Sequence, residues 1–336
     1  MKTKGVSYDV GTEYVPGSLT RTNLSAGLVA RDMLAIKKQL NCNCVRIFGK
    51  EIEQLILASE IALQSGLSVW LSPRFINSLP AETIDSLKII SLELESLRSK
   101  YSNLETVLVL AAEASLDTKG FFKGETIHDR IQHLANPLFF IKKALGFKAS
   151  YQKHFTEFLS TALHETRKNF SGKITYAAGM WEIVDWTNFD IISVNLYKAS
   201  FNKSYFNKIL QKYTTMGKPL AITEFGCCTY TGAEKKGPTG YSILDTSKNP
   251  PVFKEKCDRN EKTQADYILD LLQTFGKANV HATFIFDFFS QQLTFNKNPD
   301  LDYDKASFSI TRSIGQNMWE PKLAFELISR FYKESN

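Results

Sequence analysis

Two apolar, strand-like runs of this chain each end in a carboxylate. Glu224 closes Lys218-Pro219-Leu220-Ala221-Ile222-Thr223 and is followed by Phe225-Gly226, and Glu113 closes Glu105-Thr106-Val107-Leu108-Val109-Leu110-Ala111-Ala112. In both runs the residues two and four before the Glu are apolar: Val109 and Ala111, then Leu220 and Ile222. Strand alternation would put those side chains on the same face as the Glu. Each carboxylate is therefore expected to carry a core-facing row to the C-terminal end of its strand. If both strands belong to one parallel barrel, two carboxyl groups meet at its mouth. One can serve as a neutral acid that protonates a leaving oxygen. The other can serve as an anion that attacks an anomeric carbon, which is the minimal machinery of glycoside hydrolysis. Like charges at short range push the two titrations apart, so one pair can fill both roles. The bland alternative is that each Glu ends its strand in solvent.

Other residues fall where they could support such a pair. Arg46 follows Cys44 on one strand face, and a buried guanidinium needs an anion whose geometry suits its fork. Asn195 and Tyr197 are two residues apart and face one way. Trp181 and Glu182 end a further strand and could add a sugar platform and a polar contact. Asp9 and Arg74 end the first and third strands, and either substrate contact or loop structure would explain them. Phe121, Phe122, Tyr230 and Tyr241 are candidates to line the cleft. Cys227 and Cys228 are adjacent, which is not metal-site spacing, and a thiol nucleophile would need a nearby base. No zinc-type arrangement appears among His128, His133, His154, His164 and His281, so neither a metal nor an organic cofactor is expected.

The elements that must position these residues read as repeated βα units. Strands are expected at Gly5–Val10, Cys42–Phe48, Ser68–Phe75, Glu105–Glu113, Lys173–Met180, Phe189–Tyr197, Pro219–Phe225 and Ala282–Phe289. Helix-period segments lie between them. Ala26–Leu40 and Glu51–Ser65 are clear examples, Gly66 caps the latter, and Pro80 opens a helix to about Ser99. Eight strands with intervening helices is the count of an α/β TIM (β/α)8 barrel, taken as one domain over residues 1–336. Two connections are long, residues 114–147 after strand four and residues 226–261 after strand seven. They follow the two Glu-bearing strands, and in such a barrel these loops build the active-site wall.

Composition sets the outer bounds. The 336 residues are 43% hydrophobic and 23% charged, which is ordinary globular composition. The net charge of +6 is spread along the chain without a basic block, so nucleic acid is not an expected partner. No apolar segment approaches the ~18 residues a membrane span needs. The start Met1-Lys2-Thr3-Lys4 runs directly into a strand with no secretory h-region, and the cysteine count of five is odd. Both point to a cytoplasmic protein, and the expected partner is a small glycoside or oligosaccharide.

Several of these motifs resemble the clan A glycoside hydrolases, retaining enzymes on a TIM barrel. Thr223-Glu224-Phe225-Gly226 is similar to that clan's nucleophile motif at the end of strand seven. Glu113 matches its acid/base at the end of strand four. Val45-Arg46-Ile47 resembles the strand-two Arg that supports the nucleophile, and Asn195-Leu196-Tyr197 the strand-six segment whose Tyr hydrogen-bonds it. There are two departures. Ala112 stands where the clan usually has Asn before the acid/base, and Ile285-Phe286-Asp287-Phe288-Phe289 stands where a Trp platform often closes strand eight. Asp287 then becomes a candidate substrate contact. More closely, Glu224-Phe225-Gly226-Cys227-Cys228-Thr229-Tyr230 and Trp181-Glu182-Ile183-Val184-Asp185-Trp186 resemble a bacterial family labelled "abortive infection protein", which implies no defined chemistry. Two further readings stay open: a barrel that binds a carbohydrate or nucleotide-sugar without turnover, and chemistry at Cys227 or Cys228.

Overall fold

The alternation of apolar runs and helix-period segments produces a closed, all-parallel, eight-stranded barrel. The computed structural model describes residues 1–136 and 150–334. We number the barrel strands β1 (Thr3–Asp9), β2 (Cys44–Gly49), β3 (Ser68–Pro73), β4 (Thr106–Ala112), β5 (Lys173–Ala178), β6 (Ile192–Asn195), β7 (Leu220–Phe225) and β8 (Ala282–Ile285). β8 pairs with β1 through Thr3↔Ala282 to Val6↔Ile285 and closes the ring. This is the TIM-barrel topology. β6 and β8 are shorter than the sequence suggests. Phe286 and Phe288 still donate backbone bonds to Phe225 and Ser7 beyond the end of β8.

Helices cover the outside because their apolar residues recur on one face. In the helix Ala26–Lys38, Val29, Met33 and Ile36 are buried at i, i+4 and i+7. No helix among the described residues is long and apolar enough to cross a membrane. Two short antiparallel ribbons, Leu244–Asp245 with Val252–Phe253 and Thr311–Gly315 with Met318–Pro321, decorate the barrel.

The barrel interior is a separate apolar layer that includes Cys44, Trp70, Val107, Val109, Ala112, Ala177, Ala221 and Phe284. The Trp70 and Phe284 rings lie 4.9 Å apart at its centre. Gly5 makes room for them, since a Cβ there would sit 2.5 Å from the Phe284 ring. Leu108, Leu110, Ala111, Leu220 and Ile222 belong instead to the larger cluster between strands and helices.

That division corrects the simple alternation. Val109 and Ala111 do not share a face. The register of β4 against β5 shifts between Val109 and Ala112, so Ala111 turns outward and Ala112 inward. In β7, Leu220 and Ile222 face the helices and Ala221 faces the interior, and the register against β6 shifts before the Asn195↔Glu224 pair. Both Glu residues reach the mouth through a bulge, a device that re-aims side chains at the rims of barrels.

Candidate active site

Glu224 leaves β7 almost fully buried, at 5% exposure, and an arginine waits for it. Arg46, on β2 and fully buried, sends Nη1 to Glu224 Oε1 at 2.9 Å and to the Thr223 carbonyl at 3.1 Å. Its Nη2 donates to Ser72 Oγ at 3.0 Å. A second guanidinium, Arg74 at the end of β3, brings Nη1 to 3.7 Å from the same Oε1. The glycine after the motif is a packing requirement: a Cβ at Gly226 would lie 2.2 Å from the Phe286 carbonyl oxygen.

Glu113 is held differently. Its backbone is left-handed, with φ of 46°, and it caps the short helix Ala114–Asp117. A non-glycine residue in that region is strained, and such strain gathers at functional sites. Its amide donates to the Ala177 carbonyl, and its carbonyl accepts from the Leu116 and Asp117 amides. Asn195 Nδ2 donates to Glu113 Oε1 at 3.0 Å. The orientation of that amide follows from Thr223, whose hydroxyl donates to Asn195 Oδ1 at 2.9 Å. No cation pairs directly with Glu113 among the described residues. Burial, then the neighbouring Glu224 charge, push its carboxyl up to about 8, with Arg74 and the Asn195 bond opposing. At neutral pH one carboxyl is thus kept mostly protonated beside another that is clamped by a guanidinium.

No protein-family model matches the chain, and no curated protein matches its sequence. Solved structures do match its fold. A β-glucosidase mutant derived from a hyperthermophilic tetrameric structure is 10% identical with a TM-score of 0.59, covering 99% of this chain and 95% of that one. Fpglu1 from Fervidobacterium pennivoraus is 12% identical with a TM-score of 0.54, covering 93% and 84%. A hyperthermophilic β-glucosidase mutant that forms a dodecamer in its crystal is 10% identical with a TM-score of 0.54, covering 97% and 98%. At such identities the shared property is the barrel.

The remaining candidates divide by how far the protein itself uses them. Asp9 accepts from the Gly11 amide and the Thr12 hydroxyl on Oδ1 and from the Thr20 hydroxyl on Oδ2. Glu182 is saturated: Ser115 N and Oγ reach Oε1, while the Tyr176 hydroxyl and the Gly179 amide reach Oε2. It fastens the loop after β5 to the loop after β4. Trp181 Nε1 donates to Ser115 Oγ at 2.9 Å in the same junction. Arg74 is forked onto Asp117, with Nε to Oδ2 at 2.9 Å and Nη2 to Oδ1 at 3.2 Å. Asp287 is buried with Asp9 and Glu224 as charged neighbours. Burial above all holds it well above the usual carboxylate range, and Lys322 opposes this.

Tyr197 is buried close enough to feel Glu224 and Glu113, and burial followed by those charges raises its hydroxyl. The hydrogen bond to Glu224 that the resemblance implies is absent among the described contacts. Its ring instead meets Phe308 edge-on at 5.9 Å. Three of the four aromatics expected in the cleft are packing residues. Phe121 meets Phe155 and Phe158, Phe122 meets Tyr151, and Tyr230 donates its hydroxyl to the Gly240 carbonyl. Tyr241, in the insertion after β7, is 47% exposed, and burial followed by the Glu113 charge raises its hydroxyl. Of the insertion after β4, residues 137–147 lie outside the described residues.

Cys227 and Cys228 are buried free thiols, both pushed up by burial, and Cys228 Sγ donates to the Ala306 carbonyl. That setting opposes thiolate formation. Among the described residues no three His, Cys, Asp or Glu side chains gather as a metal site. A groove of about 460 Å³ lies on the flank, between the helix Gln152–Arg167 and the segment from Ile183 to Phe189, and contains none of the candidate residues. Chemistry, not cavity size, makes the mouth the candidate site. Sequence reasoning missed Asp117 and Tyr14. Tyr14 lies under the Arg74 guanidinium at 5.4 Å. Neither carries a motif, and both are brought in by loop geometry.

Proposed function

We propose that this barrel is a retaining glycoside hydrolase or transglycosidase acting on a small glycoside. Glu224 is the nucleophile and Glu113 the acid/base. The observation that carries this reading is the contrast just described: one carboxyl paired with Arg46, the other raised to about 8 with only an amide donor. That contrast suits a double displacement. In the first step a Glu224 oxygen attacks the anomeric carbon. The bond to the leaving oxygen breaks as Glu113 delivers its proton there. Arg46 pairs with Glu224 and aims it. In the second step Glu113, now a carboxylate, takes a proton from water or an acceptor alcohol. That oxygen then displaces Glu224 from the anomeric carbon. No metal or organic cofactor is called for by this sequence of steps. The resemblance of these motifs to clan A implies the same assignment, and the β-glucosidases that share the fold are consistent with it.

The departure at Ala112 bears on the reading. Ala112 packs into the barrel interior and offers no polar contact. Asn195 supplies an amide to the acid/base from β6 instead. The second reading, a carbohydrate or nucleotide-sugar binding barrel without turnover and with a defence or regulatory role, rests on Ala112. Trapping decides between them. A panel of 2-deoxy-2-fluoro glycosides with activated leaving groups should leave a covalent sugar on the Glu224 peptide by mass spectrometry. A label on Glu113, Cys227 or Cys228 would overturn the assignment, and no label from any member of the panel would favour the binding-only reading.

A further inference from the structure

Arg74 and Asp117 occupy a position that neither catalytic role accounts for. Arg74 is 5% exposed, and all of its fork nitrogens face anions: Nε and Nη2 take Asp117, and Nη1 approaches Glu224. Its flat face rests on the Tyr14 ring. It has no free donor pair to offer a ligand, so direct substrate recognition is a poor use of it. Asp117 is equally committed. It ends the helix that Glu113 caps, its amide is bonded to the Glu113 carbonyl, and its own carbonyl accepts from Asn77 and from Arg130 Nη2 at 3.1 Å. The left-handed turn at Glu113 is therefore tied, four residues on, to a guanidinium that also touches Glu224.

We propose that Arg74 and Asp117 form a clasp that couples the two carboxylates of the mouth. Asp117 holds the strained Glu113 turn closed and fixes Arg74. Arg74 places one positive charge where both carboxylates feel it. These are positioning residues. The inference rests on the roles given above to Glu113 and Glu224. The charge has a definite effect on the acid/base, because a nearby cation favours its ionised form. The titratable groups that face Glu113 are Glu224 from β7, Arg74 from the end of β3, Asp117 from its own helix, Tyr176 from β5, Tyr197 from the loop after β6 and Tyr241 from the insertion after β7. Of these, Arg74 is the cation nearest the pair apart from Arg46, which is spent on Glu224, the Thr223 carbonyl and Ser72.

The clasp predicts shifts of opposite sign. Removing the cation in Arg74→Met should raise the Glu113 midpoint by about one pH unit or more. Removing the like charge in Asp117→Asn should lower it. A purely structural role would open the turn to water and lower the midpoint in both variants, because burial is the leading cause of its elevation. The measurement is a pH titration of side-chain carboxyl resonances in protein labelled with carboxyl-13C glutamate, with Glu113→Gln used to assign the signal. Arg74→Gln keeps an amide donor towards Asp117 and should shift in the same direction as Arg74→Met, which provides the reading if the methionine variant does not fold. An unchanged or lowered midpoint in the folded Arg74 variants would overturn the clasp. The titration needs no turnover, so a wild type that labels with no glycoside would sink the hydrolase reading while leaving this coupling to stand or fall by itself.

Discussion

The ends of β4 and β7 carry the same side chain in opposite settings. Glu224 continues an ordinary extended backbone, is nearly closed off, and meets Arg46 at 2.9 Å. Glu113 sits on a left-handed residue, stays part-buried, and among the described residues its carboxyl takes a hydrogen bond from the Asn195 amide and no ion pair. The cation arrives from β2, across the barrel, and among the described residues it pairs with the β7 carboxylate and not with Glu113. The difference teaches that chemical role here is assigned by which neighbouring strand supplies charge and which supplies a neutral dipole. The two glutamates are interchangeable as residues and not as sites.

The largest effects should come from removing each carboxylate in turn. Glu224→Gln should abolish formation of the glycosyl-enzyme. Glu113→Gln should retain the first step with a leaving group that needs no protonation, accumulate the intermediate, and regain turnover with azide. Burst kinetics with an aryl fluoro-glycoside read both, and equal losses in the two variants would erase the contrast.

Next in size is the cation. Arg46→Leu leaves buried Glu224 with the longer contact to Arg74 at 3.7 Å, which should cost up to about 3–5 kcal/mol by urea unfolding at neutral pH. In a Glu224→Gln background the same change should cost much less, since the two residues are coupled. Additive losses would mean that Arg46 is held by its other partners.

The neutral dipole should matter less. Asn195→Ala removes one hydrogen bond to a carboxyl group, worth about 1.5–3 kcal/mol when that group is charged. It should lower kcat/KM by about tenfold to a hundredfold and raise the Glu113 midpoint, because the bond favours the ionised form. The alkaline limb of the kcat/KM profile, expected near 8 in the wild type, should move up with it. The smallest effect should be Tyr197→Phe, below about tenfold in kcat/KM, because the hydroxyl makes no bond to Glu224 among the described contacts. A loss as large as that of Asn195→Ala would place the hydroxyl on Glu224 during turnover.

Stability gives a further handle on the same contrast. Glu113 titrates higher in the folded protein than in the unfolded chain, so its contribution is favourable at low pH and is lost as pH rises towards about 8. Glu113→Gln carries no such penalty. It should be more stable than wild type at pH 9, by about 1–3 kcal/mol in thermal or urea unfolding, and indistinguishable near pH 4.

The barrel was readable because its signals are local. Apolar runs of strand length, Gly66 after a helix and Pro80 at the start of another give the order of elements without any long-range knowledge. Both terminal carboxylates were readable for the same reason. The bulges were not, since Ala111 and Ala112 are equally small and apolar and nothing in their types says which turns inward. The partners of Arg74, Asp9 and Glu182 were also hidden, because each is supplied by a connection whose path depends on the rest of the fold. Phe121, Phe122 and Tyr230 looked like cleft aromatics from their place in long insertions, but an aromatic in a loop packs inward when the loop has a small core of its own to build. Asp117 lies four residues beyond Glu113, close in sequence, yet only the strained turn brings it to Arg74.

The contrast between the two glutamates can be read in a single titration of carboxyl-13C glutamate resonances from pH 4 to 10. One resonance with a midpoint near 8 should be present in the wild type, absent in Glu113→Gln, and present with a lowered midpoint in Glu224→Gln, where the like charge is gone. A resonance that still titrates near 8 in Glu113→Gln would place the elevated acid elsewhere and contradict the roles assigned to the pair.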